Sequence, residues 1–524
     1  MIRLNPVLCT VLLTAALCLS CKGPVRTLPS TEEQVPGPKV MYVDCRAEVR
    51  TMKALKEQAR RCAAQGMNAM IMEWEATFPF ESNATLKNPY AFTKEEIRDF
   101  VEYCSSLGLE VIPLQNCFGH CEYILRHERY WSIREDRKNP SQVCPLKVEK
   151  AVPIFKDIFA EVAALHPSKY FHIGCDETFL LGSCRDCSAF AATHGKSHLF
   201  VDYVKEMCRI VLDMGKIPVM WADIITAHPE AIDELPKELI FIDWNYGWNV
   251  NKFGSIDTVI DAGVHMWGAT ALRSGPDNLY LTQWAKHFEN LRSFVTFGRE
   301  HGYRGFVQTS WSTSGAYGFH YDLGNEILNI QPVRLVYPES GFNILVAATA
   351  RAFNQAEPFE AESFVREYAS EIYGFGEADA ATLWDYFQMP QDPVSTLTGK
   401  ASDGRSIDEV LEECLTMRSR LAALPRARSN REEIAHYLLM LDIRINYLKF
   451  KSCEAIFESA GYEESQRQAL ADRMKKVCSE GRKIDKRFAS LNKGYLKPGE
   501  IRYLTSFRGA KMEAFLRALT ADEN

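Results

Sequence analysis

Two carboxylates stand side by side in the segment KYFHIGCDETFLLGSC, residues 169–184. Residues 170–173 predict the end of a buried β-strand, and Asp176 and Glu177 follow it almost at once. Neighbours on a strand point to opposite faces, so the two acids can share a pocket only if the strand ends near Gly174. Glycine tolerates the backbone angles that such a turn needs. A shared pocket would suit acetal cleavage, in which one acid donates a proton and the other stays an anion.

The spacing of this pair bears on the mechanism. In the usual retaining glycosidase a carboxylate nucleophile lies ~5 Å from the acid, across the scissile bond. Neighbours in sequence approach from the same side, so a division of labour in which the substrate supplies the nucleophile fits Asp176 and Glu177 better. The structural alternative is that the pair forms a helix N-cap or a loop salt bridge.

Eight apolar or β-branched runs alternate with amphipathic stretches, which predicts parallel strands covered by helices. Eight such units close a (β/α)₈ TIM barrel, here over residues 39–335. A doubly wound open sheet is the competitor, but it would usually bring a Gly-rich phosphate turn, and none follows the early strands. The predicted strands are residues 40–44, 69–73, 110–115, 170–174, 217–223, 239–244, 264–268 and 305–311.

Longer helical patterns at residues 358–374, 406–424, 430–458 and 463–491 predict an α-helical C-terminal region over residues 336–524. It is expected either to pack against the barrel or to stand beyond it, and it carries no sign of chemistry. The helices predicted between the strands are residues 51–65, 93–107, 148–165, 196–214 and 281–301.

Catalytic groups of a TIM barrel lie at the carboxyl ends of the strands and in the loops that follow. At those positions this chain gathers acids, tryptophans and an arginine, a composition that suits a sugar-binding pocket. The residues are Arg46, Glu73, His120, His172, Asp176, Glu177, Trp221, Asp223, Trp244, Tyr246, Trp267 and Trp311.

The segment HIGCDE resembles the His-x-Gly-x-Asp-Glu signature of family 20 glycoside hydrolases, the β-N-acetylhexosaminidases. The likeness extends over residues 40–320 and is strongest to the hexosaminidase D branch. It rests on IMEWEATFPFE, VIPLQNCFGHCEYILRHERY, LHPSKYFHIGCDETFLLG, VMWAD and MWGATALRSG, which occur in order. The resemblance implies a (β/α)₈ barrel that uses neither a metal nor a cofactor.

The resemblance also implies roles for individual residues. Glu177 would be the general acid and then the base that activates water, while Asp176 would hold the 2-acetamido nitrogen so that the acetamido oxygen attacks C1. Tyr246 would hydrogen-bond that oxygen from the other side, and Arg46 would bind sugar hydroxyls. His120 would lie near the acid pair. The aromatic cage around the sugar would be drawn from Trp221, Trp244, Trp267 and Trp311.

Several of these residues have a second interpretation. His172, on a buried strand, is expected to be a core histidine that braces the strand end rather than a ligand. Glu73 is either a rival nucleophile or part of a network with sugar hydroxyls, and Arg46 either binds hydroxyls or pairs with Asp44. Of the four tryptophans, about three are expected to contact sugar and the rest to be core.

Sixteen cysteines are many for an exported protein, and thirteen remain after the three in the first 21 residues. The pair in CRDC, Cys184 and Cys187, has the spacing of metal ligands, and Cys144 is one of several others that could lie nearby. Zinc sites usually show a second pair or a Cys/His partner at matching spacing, and none occurs here. A disulfide or a pair of thiols is therefore favoured over structural zinc.

Residues 1–20 have the basic start and apolar run of a signal peptide, and Ser20-Cys21 resembles a lipobox in which Cys21 is lipidated. Residues 21–38, rich in proline, then predict a tether to a bacterial cell envelope. With net charge −7 and pI 6.0 nothing suggests nucleic-acid binding, and the only membrane contact expected is the lipid anchor. The sequence leaves the oligomeric state open.

The sequence therefore predicts an exo-acting, retaining β-N-acetylhexosaminidase that releases terminal GalNAc or GlcNAc from glycans, with a slight preference for GalNAc from the hexosaminidase D likeness. One alternative is a lipid-anchored glycan-binding protein whose barrel has lost turnover. Another is a glycosidase with its own carboxylate nucleophile, for which Glu73 is the candidate.

Overall fold

A computed structural model describes residues 37–46, 48–274, 277, 282–311 and 336–521. Within them, eight parallel strands close into one barrel in sequence order, with β1 paired to both β2 and β8. The predicted (β/α)₈ barrel is confirmed. The strands are β1 Lys39–Asp44, β2 Ala69–Glu73, β3 Glu110–Leu114, β4 Tyr170–His172, β5 Ile217–Trp221, β6 Ile240–Trp244, β7 His265–Ala271 and β8 Phe306–Thr309.

Two apolar layers hold the barrel together. Alternate strand residues such as Val40, Ile71 and Val219 fill the barrel interior, while the intervening residues face the surrounding helices. These helices are α1 Met52–Ala64, α2 Lys94–Ser106, α3 Glu122–Leu125, α4 Val148–Ala163, α5 Arg185–His194, α6 Lys196–Asp213, α7 Asp223–Ala227, α8 Ile256–Asp261 and α9 Trp284–Glu300.

Local signals set the helix boundaries close to where the sequence predicts them. Thr93 caps α2 in a capping box with Glu96, an arrangement that contributes about 1 kcal/mol. After α1 and α2 the chain turns at Gly66 and Gly108, whose positive φ angles of 84° and 78° bring it back toward the next strand.

The C-terminal region is helical and packs against the barrel, which decides between the two predicted arrangements. Trp284 of α9 stacks on Phe342 and meets Tyr437 edge-on, and Arg50 forms a β-bridge with Leu496. Its helices are α10 Asn343–Asn354, α11 Ala361–Tyr368, α12 Glu377–Gln388, α13 Ile407–Ala423, α14 Arg431–Phe457, α15 Arg467–Leu491 and α16 Pro498–Thr520.

Helices α10, α12 and α16 were not predicted. Helix α10 carries buried residues all round, so it lacks the one-sided pattern that reveals a surface helix. Of the helices within the described residues, none has the length and apolarity needed to cross a bilayer. The predicted signal peptide, Cys21 and most of the tether lie outside the described residues.

Candidate active site

The adjacent acids Asp176 and Glu177 enter one pocket because strand β4 stops early. The strand ends at His172, and the chain then adopts positive φ angles at Gly174 (72°), Cys175 (72°) and Glu177 (49°). Such angles are strained for residues with a Cβ and persist only where the surroundings impose them. The expected break of the strand near Gly174 is confirmed.

Two glycines allow the loops after β3 and β4 to touch. A Cβ on Gly174 would lie 2.0 Å from the side-chain oxygen of Asn116, and a Cβ on Gly119 would lie 2.0 Å from the carbonyl oxygen of Asp176. Both positions therefore require glycine. Their contact brings His120, whose φ is 51°, directly over the acid pair.

His120 joins the two acids. Its Nε2 lies 3.4 Å from Asp176 Oδ2 and 3.3 Å from Glu177 Oε2. Burial alone would lower the pKa of His120, but the Asp176 charge and the contacts to both carboxylates raise it well above its usual value. Burial likewise opposes ionisation of Asp176, yet His120 and Arg46 hold the pKa of Asp176 below its usual value. The site therefore keeps Asp176 as an anion at neutral pH.

Asp223, at the start of α7, supports the same loop from the other side. Its Oδ2 accepts the backbone N–H of Glu177 at 2.9 Å, and its Oδ1 accepts the indole N–H of Trp244 at 3.4 Å. Burial, helped by repulsion from Asp176, raises the pKa of Asp223 to about 7. Asp223 therefore positions Glu177, and its side chain is only 5% exposed as part of a residue facing the pocket floor.

A second group of acids lies at the ends of β1 and β2. The Arg46 guanidinium pairs with Asp44 at 3.0 Å and with Glu73 at 3.3 Å, so both of its predicted interpretations as an ion-pair partner and as a mouth residue hold. Asn116 donates to Glu73 at 2.5 Å and to Glu75 at 3.2 Å. Burial raises the pKa of Glu75 to about 8 and that of Glu73 well above its usual value.

Aromatic side chains form one wall of the pocket. Trp221 and Trp311 lie 5.7 Å apart between ring centroids, and Trp244 lies 5.2 Å from Tyr246. The Trp311 indole donates to the Tyr246 hydroxyl at 2.7 Å, which leaves that hydroxyl its own hydrogen for donation. The predicted mouth positions of these four residues agree with the structure.

Trp267 is a correction to the predicted set. Strand β7 does not end at residue 268 but continues to Ala271, so Trp267 is only the third residue of the strand. Its ring is 3% exposed and meets Tyr170, the first residue of β4, at 5.2 Å. Trp267 therefore fills the barrel core below the mouth. The sequence run hid this because Gly268, Ala269 and Thr270 do not look like a strand.

His172 braces the strand end, as expected. Its Nδ1 accepts the backbone N–H of Gly174 at 3.0 Å, and its ring packs on Trp221 at 4.6 Å. Burial lowers the pKa of His172 to about 3, so the ring is neutral. With no exposed surface it offers nothing to a sugar face, and its inclusion among the substrate contacts is corrected.

Sequence reasoning gave no role to several residues that the fold brings to the mouth. Trp248 and Phe253 extend the wall beyond Trp244, with ring centroids 5.5 Å and 4.4 Å from it. The motif DWNYGW contained Trp248, so that signal was available. Phe253 lies in a loop whose composition carries no signal, and only the fold places it.

Buried polar atoms without a hydrogen-bond partner gather at this mouth. Within the described residues they include the second oxygens of Glu73 and Glu75, Oδ1 of Asp176 and the hydroxyl of Tyr42. Buried polar groups are normally satisfied, so a group of open acceptors at one pocket points to a hydrogen-bonding ligand. A polyhydroxylated substrate fits this requirement.

Comparison with known proteins agrees with this pocket. The model of glycosyl hydrolase family 20, catalytic domain, matches residues 46–291. The chain is 26% identical to hexosaminidase D of Bos taurus over 47% of this chain and 76% of the relative, and 24% identical to that of Homo sapiens over 55% and 62%.

Solved structures were also found. The chitobiase of Flavobacterium johnsoniae aligns with a TM-score of 0.48 and 15% identity, over 93% of this chain and 73% of that one. The β-N-acetylhexosaminidase of Bacteroides fragilis NCTC 9343 aligns with a TM-score of 0.47 and 16% identity, over 68% and 72%.

Proposed function

Because the chain belongs to glycosyl hydrolase family 20 and is a β-N-acetylhexosaminidase, we propose that it is an exo-acting, retaining enzyme whose substrate supplies the nucleophile. The substrate class is a glycan that ends in a β-linked N-acetylhexosamine, GalNAc or GlcNAc. The observation that carries the proposal is the placement of both Asp176 and Glu177 within 3.4 Å of one imidazole nitrogen.

The two acids differ in the way that this mechanism requires. The Glu177 side chain is 37% exposed, so it can reach the leaving oxygen of a bound glycoside, whereas the Asp176 side chain is 10% exposed and ionised. Asp176 accepts the acetamido N–H, and the acetamido oxygen attacks C1 as the C1–O bond breaks. Glu177 gives its proton to the departing oxygen, so charge does not build up there.

The second step reverses the proton transfer. The attack leaves a cyclic oxazolinium ion, whose positive charge lies next to the Asp176 carboxylate. Glu177, now an anion, takes a proton from the water that attacks C1, and the ring opens with net retention. Tyr246, anchored by Trp311, donates its hydroxyl hydrogen to the acetamido oxygen and so orients it for the attack.

The remaining mouth residues bind the sugar in this proposal. Trp221, Trp244 and Trp311 give an apolar face on which the acetamido methyl and the sugar ring can rest. Arg46 and Glu73, tied to each other at 3.3 Å, offer donors and acceptors to the hydroxyl groups. The raised pKa of Glu73 makes it a poor nucleophile, which argues against a covalent mechanism through this residue.

Two measurements test the mechanism. The mature protein should release the chromophore from an aryl β-GalNAc or an aryl β-GlcNAc, and an N-acetyl thiazoline that mimics the cyclic ion should inhibit it strongly. A covalent sugar trapped on Glu73 would contradict substrate assistance. Sugar binding without release from either glycoside would instead support the alternative of a glycan-binding protein with an inactive barrel.

The relative rates on the two aryl glycosides decide the sugar preference, for which the hexosaminidase D relatives weakly favour GalNAc. The place of action is a separate part of the proposal: the chain is exported and held at the cell envelope by a lipid on Cys21. Metabolic labelling with a fatty acid should mark the wild-type chain and not the Cys21→Ser variant. Equal labelling of both chains would contradict the anchor.

A further inference from the structure

The loops after β3 and β4 meet a second time, away from the acid pair. There Glu135, Cys144, Cys184 and Cys187 come together, with one ligand atom from each lying within 4.8 Å of all the others. The Cys144 sulfur lies 3.5 Å from that of Cys187 and 3.9 Å from that of Cys184, and the Cys187 sulfur lies 3.2 Å from Glu135 Oε2.

We propose that these four residues bind a divalent cation with the coordination preference of Zn²⁺. A tetrahedral zinc ion with Zn–S bonds of ~2.3 Å holds its sulfur ligands ~3.8 Å apart, close to the separations found here. A disulfide would need a separation of about 2.05 Å, which no pair of the three sulfurs has. Cysteine and carboxylate are both ligands that zinc accepts.

Burial gives an independent reason for a cation. Cys187 is fully buried, Cys144 is 1% exposed and Glu135 is 3% exposed. A buried carboxylate is costly unless a positive charge balances it. Across the described parts of the chain, Glu135 forms no ion pair with a lysine, arginine or histidine. A metal ion is the partner that the cluster lacks.

The backbone holds the ligands in the orientation that coordination needs. The N–H of Cys184 donates to Glu135 Oε1 at 2.8 Å, which leaves Oε2 directed toward the Cys187 sulfur. The N–H of Cys187 donates to the Cys184 sulfur at 3.3 Å, where Cys184 caps the ten-residue helix α5. Hydrogen bonds of this kind fix ligands and partly neutralise thiolate charge.

This arrangement shows why the sequence pattern argued against zinc. The expected second pair of ligands is present, but it consists of Glu135 and Cys144, which lie across the β-bridge between Arg134 and Val143. A Glu-x₈-Cys spacing is not a recognised zinc signature, and only the folded loop brings the two together.

The proposed ion would join the two loops that carry the catalytic groups. His120 and Cys144 share the loop after β3, while Glu177 and Cys184 share the loop after β4. Closing this junction should stabilise both loops and, through them, the distance between His120 and Glu177. The ion itself would be structural, because all four coordination positions are taken by protein atoms.

Metal analysis of the purified full-length wild-type protein is the direct test. After zinc loading and removal of free metal, we expect about one zinc ion per chain, bound by three sulfurs and one oxygen in X-ray absorption. A strong chelator should lower the melting temperature by several degrees, and zinc should restore it.

A pair of alanine variants provides the matched comparison. Cys184→Ala, at the most exposed of the four ligands, should lose most of the bound zinc, whereas Cys478→Ala in α15 should retain it. A chain that stays free of zinc, or whose mass shows a disulfide within the cluster, would overturn the proposal. If Cys184→Ala fails to fold, the wild-type stoichiometry and its sulfur count still decide the matter. None of these readouts depends on glycosidase activity.

Discussion

Two groups of buried charges lie on either side of the loop after β1, and they differ in how their oxygens are satisfied. At the barrel mouth, Glu73, Glu75 and Asp176 each keep one carboxylate oxygen without a partner in the described structure. Where the barrel meets the C-terminal helices, all four oxygens of Glu48 and Glu339 accept hydrogen bonds.

The charges of the second group are balanced. Arg50 is fully buried, pairs with Glu48 at 3.1 Å and with Glu339 at 2.9 Å, and Arg273 contacts the other oxygen of Glu48. At the mouth, by contrast, the carboxylates outnumber the cations Arg46 and His120, so some of them retain protons. A closed, balanced network joins two parts of a protein, whereas an open acidic one is prepared for a ligand. Substitutions should therefore affect stability at one group and activity at the other.

The largest effect is expected at the acid pair. Glu177→Gln should lower kcat about 10³-fold or more on glycans, because the departing oxygen then receives no proton, and less on aryl glycosides with good leaving groups. Asp176→Asn should be severely impaired on both kinds of substrate, since it acts on attack rather than departure. Rates on the two substrate classes, with exposed Glu149→Gln as control, check this. An Asp176→Asn enzyme that keeps most of its activity would contradict the assigned role.

The next effect concerns stability. Arg50→Met leaves Glu48 and Glu339 buried without their shared cation and should lower the free energy of unfolding by about 3–5 kcal/mol. Denaturant unfolding measures this, and the folded fraction should keep its kcat. Arg292→Gln, which breaks an exposed pair, should cost under about 1 kcal/mol. Equal losses in the two variants would remove the distinction between the groups.

Glu73→Gln tests the mouth with a change of the same chemistry as Glu339→Gln. Glu73 has a raised pKa, so at pH 7 folding must bring a proton to it, and the amide removes that cost. We expect Glu73→Gln to be as stable as the wild type or slightly more so, with activity reduced about tenfold to a hundredfold. Glu339→Gln should do the reverse. Thermal unfolding and kcat/KM of both variants decide.

The smallest effect is a pH dependence. The pKa of Asp223 is about 7 when folded and 3.8 without the fold, so the native state binds more protons between these values. The stability associated with protonated Asp223 is complete below pH 3.8 and is lost as the pH rises through about 7. The difference in unfolding free energy between Asp223→Asn and the wild type should therefore grow over this range, by on the order of 2 kcal/mol. A difference that stays constant with pH would contradict the shift.

Much of the site followed from local rules. The strand count, the break at Gly174 and the gathering of acids and tryptophans at one end all come from periodicity of two, positive-φ glycine and parallel strand direction. Trp267 was misplaced because β7 runs three residues further than its pattern indicates. Phe253 was missed because a loop residue carries no periodic signal.

What the chain alone determined is the barrel, the identity of the acid pair and the family-typical residues around it, since these depend on short-range patterns and motifs. What only the tertiary structure decided is which distant residues share a proton, a hydrogen bond or a metal-sized space. Asp44 with Glu73, His120 with Glu177 and Glu135 with Cys187 meet at distances that no spacing encodes. Burial then sets their charge, because desolvation depends on everything that packs around a group and not on its sequence neighbours.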